Sequence, residues 1–364
     1  VREEMGKSVD NRNLFPWQKE MDACTYCSYC KSVCPVFAQL KWDSSVARGK
    51  INLAYGILYG DLKPDASVAD RLFQCTMCMD CHRRCPTKIK VMDIVEAARA
   101  ELIGQGFGKP GQKALVENVL KSGNIFAEKA LAPKAGTTPV FIGCNYGQRP
   151  NLVRLFVNVL EKAGISPAIG EEVCCGYPLK TLGFKEGFEK QRAIFQEKMK
   201  GHPEVITFCP TCTMFLHEEY GLKVRHVLEV LDEKLGKNGI TLKSLGLTAT
   251  WHDPCHLSRG AKIVDPPRRL LSRMGVTLKE MPKNKAESHC CGGGGGILSS
   301  DEKLSDQIGL KRAGQAAKLG VDTIISACPT CELTLGKACR TLVAQGQPKI
   351  QVKSIYELLH KALG

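Results

Sequence analysis

A chain of 364 residues, 43% hydrophobic and 24% charged, is long enough for two or three domains with buried cores and has ordinary globular composition. No apolar run reaches the length of a membrane span, and the start, VREEMGKSVD, lacks the apolar stretch of a secretory signal; the chain reads as cytoplasmic with no membrane span of its own. The formal net charge of +14 comes from scattered basic residues rather than one stripe, which argues against nucleic acid as a partner.

Nineteen cysteines are the outstanding feature. A large cytosolic protein keeps its thiols reduced, so clustered cysteines there point to metal rather than to disulfides. With eighteen of them as thiolates on iron–sulfur clusters, each site at roughly −2 to −3, the holo-protein would sit nearer about +4. The remaining basicity would suit an anionic substrate or an acidic lipid.

The amino-terminal part, 1–110, contains two similar strings, CTYCSYCKSVCP from Cys24 and CTMCMDCHRRCP from Cys75. Each matches the bacterial ferredoxin run C-x2-C-x2-C-x3-C-P. Two-residue gaps let three thiolates wrap one cubane, while the fourth, carried off by its proline turn, reaches the other. The spacing therefore assigns Cys24, Cys27, Cys30 and Cys85 to one [4Fe-4S] cluster, and Cys75, Cys78, Cys81 and Cys34 to a second. Zinc knuckles are the alternative, although zinc sites rarely add a Cys-Pro to three cysteines at this spacing. Between the strings RGKINLAYGILYGDL has helix-like apolar spacing, and VMDIVEAARAEL sets Val91, Ile94, Val95, Ala98 and Leu102 on one face, so this domain is expected to be mostly helical.

Gly-, Lys- and Pro-rich sequence from about 103 to 137 marks a linker, 111–136, holding one short helix, ALVENVLKSG. Beyond it the chain repeats itself. The stretch 137–247 offers a strand TPVFIGC, a helix NLVRLFVNVLEKAG closed by Gly164, and a strand in EVITFCPTC; 248–364 offers TATWHDPC, PPRRLLSRMG, the helix DEKLSDQIGLKRAGQAAKLG and a strand in VDTIISACPTC. Strands alternating with helices predict two α/β domains with largely parallel sheets and cysteines at strand C-terminal ends, joined at LDEKLGKNGITLKSLG. The whole is an α+β multidomain protein.

Five cysteines recur in each half in the same order: Cys144, Cys174, Cys175, Cys209 and Cys212, then Cys255, Cys290, Cys291, Cys328 and Cys331. Five thiolates are one too many for a cubane or a zinc ion; either one is spare or the cofactor has unusual geometry. A redox-active or zinc CxxC with two buried cysteines is the plainer alternative. The run Gly292–Gly296 has neither a Walker lysine nor a strand-to-helix GxGxxG setting, so it is not a nucleotide loop.

Cys…CysCysGly…CysXxxXxxCys, duplicated behind a two-cluster module, resembles the CCG (cysteine-rich) family of iron–sulfur oxidoreductases, above all heterodisulfide reductase D subunits, from about residue 20 onward. The resemblance implies a helical ferredoxin-like domain followed by two duplicated α/β CCG domains. It also implies a noncubane [4Fe-4S] cluster on each five-cysteine set, and makes those ten cysteines the catalytic residues. In such a cluster both adjacent cysteines serve, and the glycines would allow positive φ angles and bring N–H groups close to sulfur. The first half reads CCGYPLK where the second reads CCGGGGG.

Around these sets His256 and His289 adjoin cysteines, and are read as supporting structure before proton donors. Arg149, Lys180 and Arg259 suit an anionic substrate, though exposed surface charge is the simpler reading of each. Cys339 falls outside every motif and reads as a small buried apolar residue.

Opening a disulfide takes two electrons and clusters pass one, so two equivalent clusters facing each other would resolve the mismatch. The resemblance implies reduction of the coenzyme M–coenzyme B heterodisulfide, a small-molecule substrate. Electrons would come from a redox partner subunit, a membrane cytochrome b or a flavoprotein or hydrogenase-type donor, which would place the chain peripherally on the cytoplasmic membrane face. The other function class is an electron-transfer subunit of a flavin-linked glycolate, lactate or glycerol-3-phosphate dehydrogenase. A zinc scaffold binding nucleic acid is remote. Four such clusters also suggest an anaerobe.

Overall fold

The computed structural model describes residues 13–127, 131–237 and 239–364. The VREEMGKSVD start and residues 128–130 of the expected linker lie outside the described residues. Contacts gather the chain into two units. One holds the described residues up to Val116 with Pro178–Phe188 and Gly292–Ile308; the other holds Glu117–Tyr177, Glu189–Cys291 and Gly309–Gly364. The segment after each Cys-Cys pair thus packs with the helical unit, which no composition shift announces.

In the helical unit, helix Ala47–Tyr59 buries Ile51, Ala54, Ile57 and Leu58 and stops at Gly60, whose φ of 78° needs no side chain. Helix Ala66–Phe73 starts at Asp65, whose carboxylate accepts from the Val68 N–H at 2.8 Å, a cap worth about 1 kcal/mol. Helix Val91–Gly104 buries Val91, Ile94, Val95, Ala98 and Leu102, the face expected from their spacing. These faces meet in one core with Leu72 and Phe73. The linker helix spans Pro110–Ser122, starting four residues before the expected ALVENVLKSG, with Pro110 at its front.

The second unit carries two four-stranded parallel sheets. The first is β1 (Thr138–Phe141), β2 (Pro167–Ile169), β3 (Glu204–Thr207) and β4 (Lys223–His226), in spatial order β2-β1-β3-β4. The second is β5 (Thr248–Trp251), β6 (Thr277–Leu278), β7 (Thr323–Ser326) and β8 (Gln351–Ser354), in the order β6-β5-β7-β8. Topology is thus repeated as well as sequence. The central strands β1, β3, β5 and β7 fall where the sequence places them. The outer strands β2, β4, β6 and β8 are not legible in the sequence, because runs of two to four residues are too short to give a readable alternation. The expected junction LDEKLGKNGITLKSLG is helical through Lys237, as the end of helix Val227–Lys237, whose Val227, Leu228, Leu231 and Leu235 recur at helical spacing and are buried.

The two repeats share a core by a reciprocal exchange. Helix Pro150–Lys162 of the first packs on Ile355–Leu363, the last helix of the second, and Val227–Lys237, the last of the first, packs on Pro266–Arg273 of the second. At the first contact Phe156 stacks on Phe208 at 4.3 Å, and Tyr356 meets Phe156 edge-on at 4.7 Å. Burying such rings contributes roughly 1.5–3 kcal/mol each. At the second, Asp232 pairs with Arg269 at 2.7 Å and Arg273 at 3.7 Å.

Candidate iron–sulfur sites

The two ferredoxin-type strings fold alike. Tyr26 and Ser28 in the first, and Met77 and Met79 in the second, have φ between 51° and 67°, at the same two offsets from Cys24 and Cys75. Left-handed backbone at non-glycine residues costs on the order of 1–3 kcal/mol each, and its repetition at matched positions ties the strain to the turning of thiols toward one centre. One cavity is lined by Cys24, Cys27, Cys30, Cys81 and Cys85, and another by Cys34, Cys75, Cys78 and Cys81. The fourth cysteine of each string therefore stands with the other string's three. The Cys-Pro step is part of this: Pro35 begins helix Pro35–Leu40 and the Cys34 sulfur caps it, accepting from the Phe37 N–H at 3.5 Å.

Charge at the second cavity is one-sided. Lys50 lines it, is buried, and donates to the Arg71 carbonyl; among the described residues no carboxylate pairs with it. Burial lowers its pKa, and the Cys75 and Cys34 thiols are what hold it up. Arg99, also buried, donates to the carbonyls of Leu72, Phe73, Thr181 and Gly295, and to that of Cys75 at 2.9 Å. A buried ammonium whose nearest potential anions are thiols fits a negatively charged group held on those thiols.

In the first repeat the five expected cysteines form a continuous chain of sulfur contacts. Cys174 meets Cys144 and Cys175, Cys175 meets Cys212 at 3.9 Å, and Cys212 meets Cys209. Cys175 is held well below the ordinary thiol range by hydrogen bonds from Cys174 and then Cys212, while Cys174 is pushed well above it by Cys144 and Cys175. The loops are pinned through backbone: Gln191 donates to the Cys174 carbonyl and the Tyr220 hydroxyl to that of Cys175, both at 2.7 Å. Glu172 accepts from the N–H groups of Ile142 and Gly143 at 2.5 and 2.8 Å, binding the approach to Cys144 to the approach to Cys174. Burial pushes its carboxyl up to about 7.

The second repeat reproduces the pattern with Cys290, Cys291, Cys331 and Cys328 in contact, Cys331 and Cys291 being 3.2 Å apart. Cys291 is held well below the thiol range, by Cys290 first and then Cys331. Cys255 lies at the end of the same sheet, half-buried. Its loop is fixed by Asp253, which accepts from Trp251 Nε1 at 2.9 Å, from the Lys285 N–H at 2.7 Å and from both terminal nitrogens of Arg268 at 2.8 and 2.9 Å. No disulfide joins the described cysteines.

Each loop also leans on the other repeat. Tyr146 and Arg149, which follow Cys144, bond Glu332 at 3.0 and 2.6 Å beside Cys331, and Arg149 also donates to the Pro329 carbonyl. His256, which follows Cys255, meets Thr211 at 2.9 Å inside the first CPTC, with Tyr177 edge-on at 5.5 Å. His289 bonds Gln315 at 2.9 Å. Arg259 donates to the carbonyls of Ala286 and Ser288, bracing the approach to Cys290. Arg149 and Arg259 are thus half-buried struts rather than loose surface charge. Lys180 lies over Phe188, at 5.9 Å from the ring centroid, in the helical unit. Cys339 is buried among Leu335 and Ala338, and burial pushes its thiol up to about 11.

The glycine run behaves differently from expectation. Gly292, Gly295 and Gly296 do take positive φ, as Gly176 does in the first repeat. The close approach, however, is to carbonyls: a Cβ on Gly295 would lie 2.3 Å from the Cys75 oxygen, and one on Gly294 2.5 Å from that of Thr76. His252, Asp253 and Glu172 stand outside every motif in the sequence. An acidic residue two positions before a cysteine at a strand exit was the available signal.

Known proteins resemble this chain. A family model described as cysteine-rich domain matches residues 139–217 and 249–336, and one described as 4Fe-4S dicluster domain matches 20–89. The chain is 30% identical, across 98% of both chains, to the D chain of the dihydromethanophenazine:CoB–CoM heterodisulfide reductase of Methanosarcina barkeri. It belongs to the CCG-domain iron–sulfur oxidoreductases. Another relative is the B chain of the fumarate reductase (CoM/CoB) of Methanothermobacter marburgensis, 28% identical over 94% of this chain and 73% of that one. A third is the probable iron-sulfur-binding oxidoreductase FadF of Bacillus subtilis, 27% identical over 82% of this chain and 47% of that one. For a CCG-domain protein the thiol-only donor sets fit iron–sulfur clusters, since soft sulfur ligands with no oxygen donor select such groups over hard cations.

Proposed function

We propose that this chain is the disulfide-reducing component of a larger oxidoreductase. Two cubane [4Fe-4S] clusters would sit on Cys24, Cys27, Cys30 and Cys85 and on Cys75, Cys78, Cys81 and Cys34. Two noncubane clusters would sit on Cys144, Cys174, Cys175, Cys209 and Cys212 and on Cys255, Cys290, Cys291, Cys328 and Cys331. The observation that carries this reading is the reciprocal bracing of the two five-cysteine loops, Tyr146 and Arg149 on Glu332 against His256 on Thr211. It gives one molecule two sulfur-rich sites tied to each other, as a reaction at both ends of one S–S bond requires.

Reduction of a disulfide consumes two electrons and two protons and yields two thiols. The clusters supply one-electron chemistry when bound. The chain's own residues hold the loops rigid, and His256, buried and fixed by Thr211, stands beside Cys255 as the proton-bearing group. A mixed disulfide of the coenzyme M–coenzyme B type is the substrate that the heterodisulfide reductase relative suggests. Electrons would enter at Cys27, the exposed ferredoxin-type cysteine, flanked by exposed Tyr26 and Tyr29 that suit a partner chain. Among the described residues no helix is long and apolar enough to cross a membrane.

A second reading, favoured by the likeness to FadF, makes the chain an electron relay of a flavin-linked dehydrogenase. One pair of measurements separates the two. Roughly sixteen irons per chain with reduced-viologen oxidation by the heterodisulfide supports the reductase; full iron loading without that turnover leaves the relay.

A further inference from the structure

The two five-cysteine sites are not equivalent, and His252 is the difference. It follows β5 as Ile142 follows β1, and it is buried. One ring nitrogen of His252 and the Sγ atoms of Cys291 and Cys331 lie within 4.8 Å of one another. Three such donors could serve a metal ion, but the other side of the ring argues against it. Arg312, buried in turn, directs its Nε–H at His252 Nδ1 at 3.3 Å. A guanidinium nitrogen only donates, so Nδ1 must accept, and the neutral ring carries its proton on Nε2. A ligand nitrogen there would have to be bare, leaving Nδ1–H facing another N–H. Arg312 cannot easily turn away, because it also donates to the Pro282 carbonyl at 3.1 Å, to Gln315 Oε1 at 2.8 Å and to Ser288 Oγ at 3.2 Å. His252 Nε2 makes no hydrogen bond to a described residue and is left with its proton to place. Two sulfurs lie near the ring, those of Cys291 and Cys331, and Cys291 is the one that interacts with it.

We propose that His252 is a positioning residue whose Nε2–H donates a hydrogen bond to the Cys291 sulfur, making the second five-cysteine site the more easily reduced of the two. The inference rests on the reading that both sets hold iron–sulfur clusters. A cluster that gains an electron spreads added negative charge onto its sulfurs, so an N–H···S bond stabilises the reduced form more than the oxidised one and raises the potential. The first repeat has apolar Ile142 at this place, which offers no such donor. Electrons delivered to the pair therefore collect at the second site.

The test is an EPR-monitored redox titration of the holoprotein, wild type against His252→Leu, with iron content measured on both. At a fixed potential the reduced-to-oxidised ratio of one signal should fall about ten-fold, equivalent to about 59 mV for one electron. The signal abolished by Cys212→Ser, from the first site, should not move, and His252→Gln, which keeps an N–H, should recover most of the shift. Proton ENDOR after exchange into deuterated water should show an exchangeable proton coupled to the second site in the wild type. Unchanged potentials at full iron content, equal displacement of both signals, or no exchangeable proton overturns the proposal. Should His252→Leu lose iron, the wild-type exchange measurement decides alone. Wild-type protein with only the iron of the two ferredoxin-type clusters sinks the underlying cluster reading instead.

Discussion

Glu332 shows how much one side chain adjoining a cysteine can carry. It takes hydrogen bonds from Tyr146 and Arg149 of the other repeat, and burial pushes its carboxyl from the ordinary range to about 7. Because the folded value lies above the unfolded one, the stabilisation is fully present below about pH 4.5 and is lost as pH rises through about 7. A shift of this size corresponds to about 3 kcal/mol. The holoprotein should therefore unfold at lower denaturant at pH 8 than at pH 5.5, and Glu332→Gln, neutral throughout, should flatten that difference. An unchanged pH profile in the variant would show that the carboxyl does not titrate in the folded state. The spacing of the cysteines makes Glu332 visible only as a neighbour of Cys331; its partners come from a segment nearly two hundred residues earlier.

At the level of elements, the segment after Cys291 is glycine-rich because of where it packs. Gly295 has φ of 64° and no room for a Cβ against the Cys75 carbonyl, whereas Gly314, inside helix Glu302–Ala317, has nothing within 4 Å of the same added atom. Gly295→Ala should cost about 2–4 kcal/mol and disturb the neighbouring ferredoxin-type site, measured as loss of iron. Gly314→Ala should be neutral or raise stability by up to about 1 kcal/mol. Equal effects of the two would remove the packing explanation for the run. Its length is plain in the linear chain; the helical unit supplies its reason.

For the molecule as a whole, the exchange of fourth cysteines links two strings some fifty residues apart. Cys27→Ser and Cys85→Ser should alter one and the same cluster signal in the EPR spectrum of the reduced protein, while Cys34→Ser alters the other. If Cys34→Ser and Cys27→Ser perturb a single common signal, each string holds its own cluster and the fourth cysteines are not exchanged. The same reciprocity recurs between the α/β repeats, each of whose cysteine loops rests on the other's CPTC segment.

How far the residues speak for themselves depends on the range of the interaction. Ligand type, the two ferredoxin-type strings, the duplicated five-cysteine order, the central strands and the main helix faces were set by local spacing and hydrophobic period, which a linear reading detects. His252 turned into a donor by Arg312, Glu172 and Asp253 as clasps, the short outer strands, and the departure of Pro178–Phe188 and Gly292–Ile308 into the helical unit were decided by contacts between residues far apart in the chain. A sequence records which donors are available; only the packed chain fixes which donor faces which acceptor, because burial makes an unpartnered hydrogen-bonding group costly and so selects the arrangement in three dimensions.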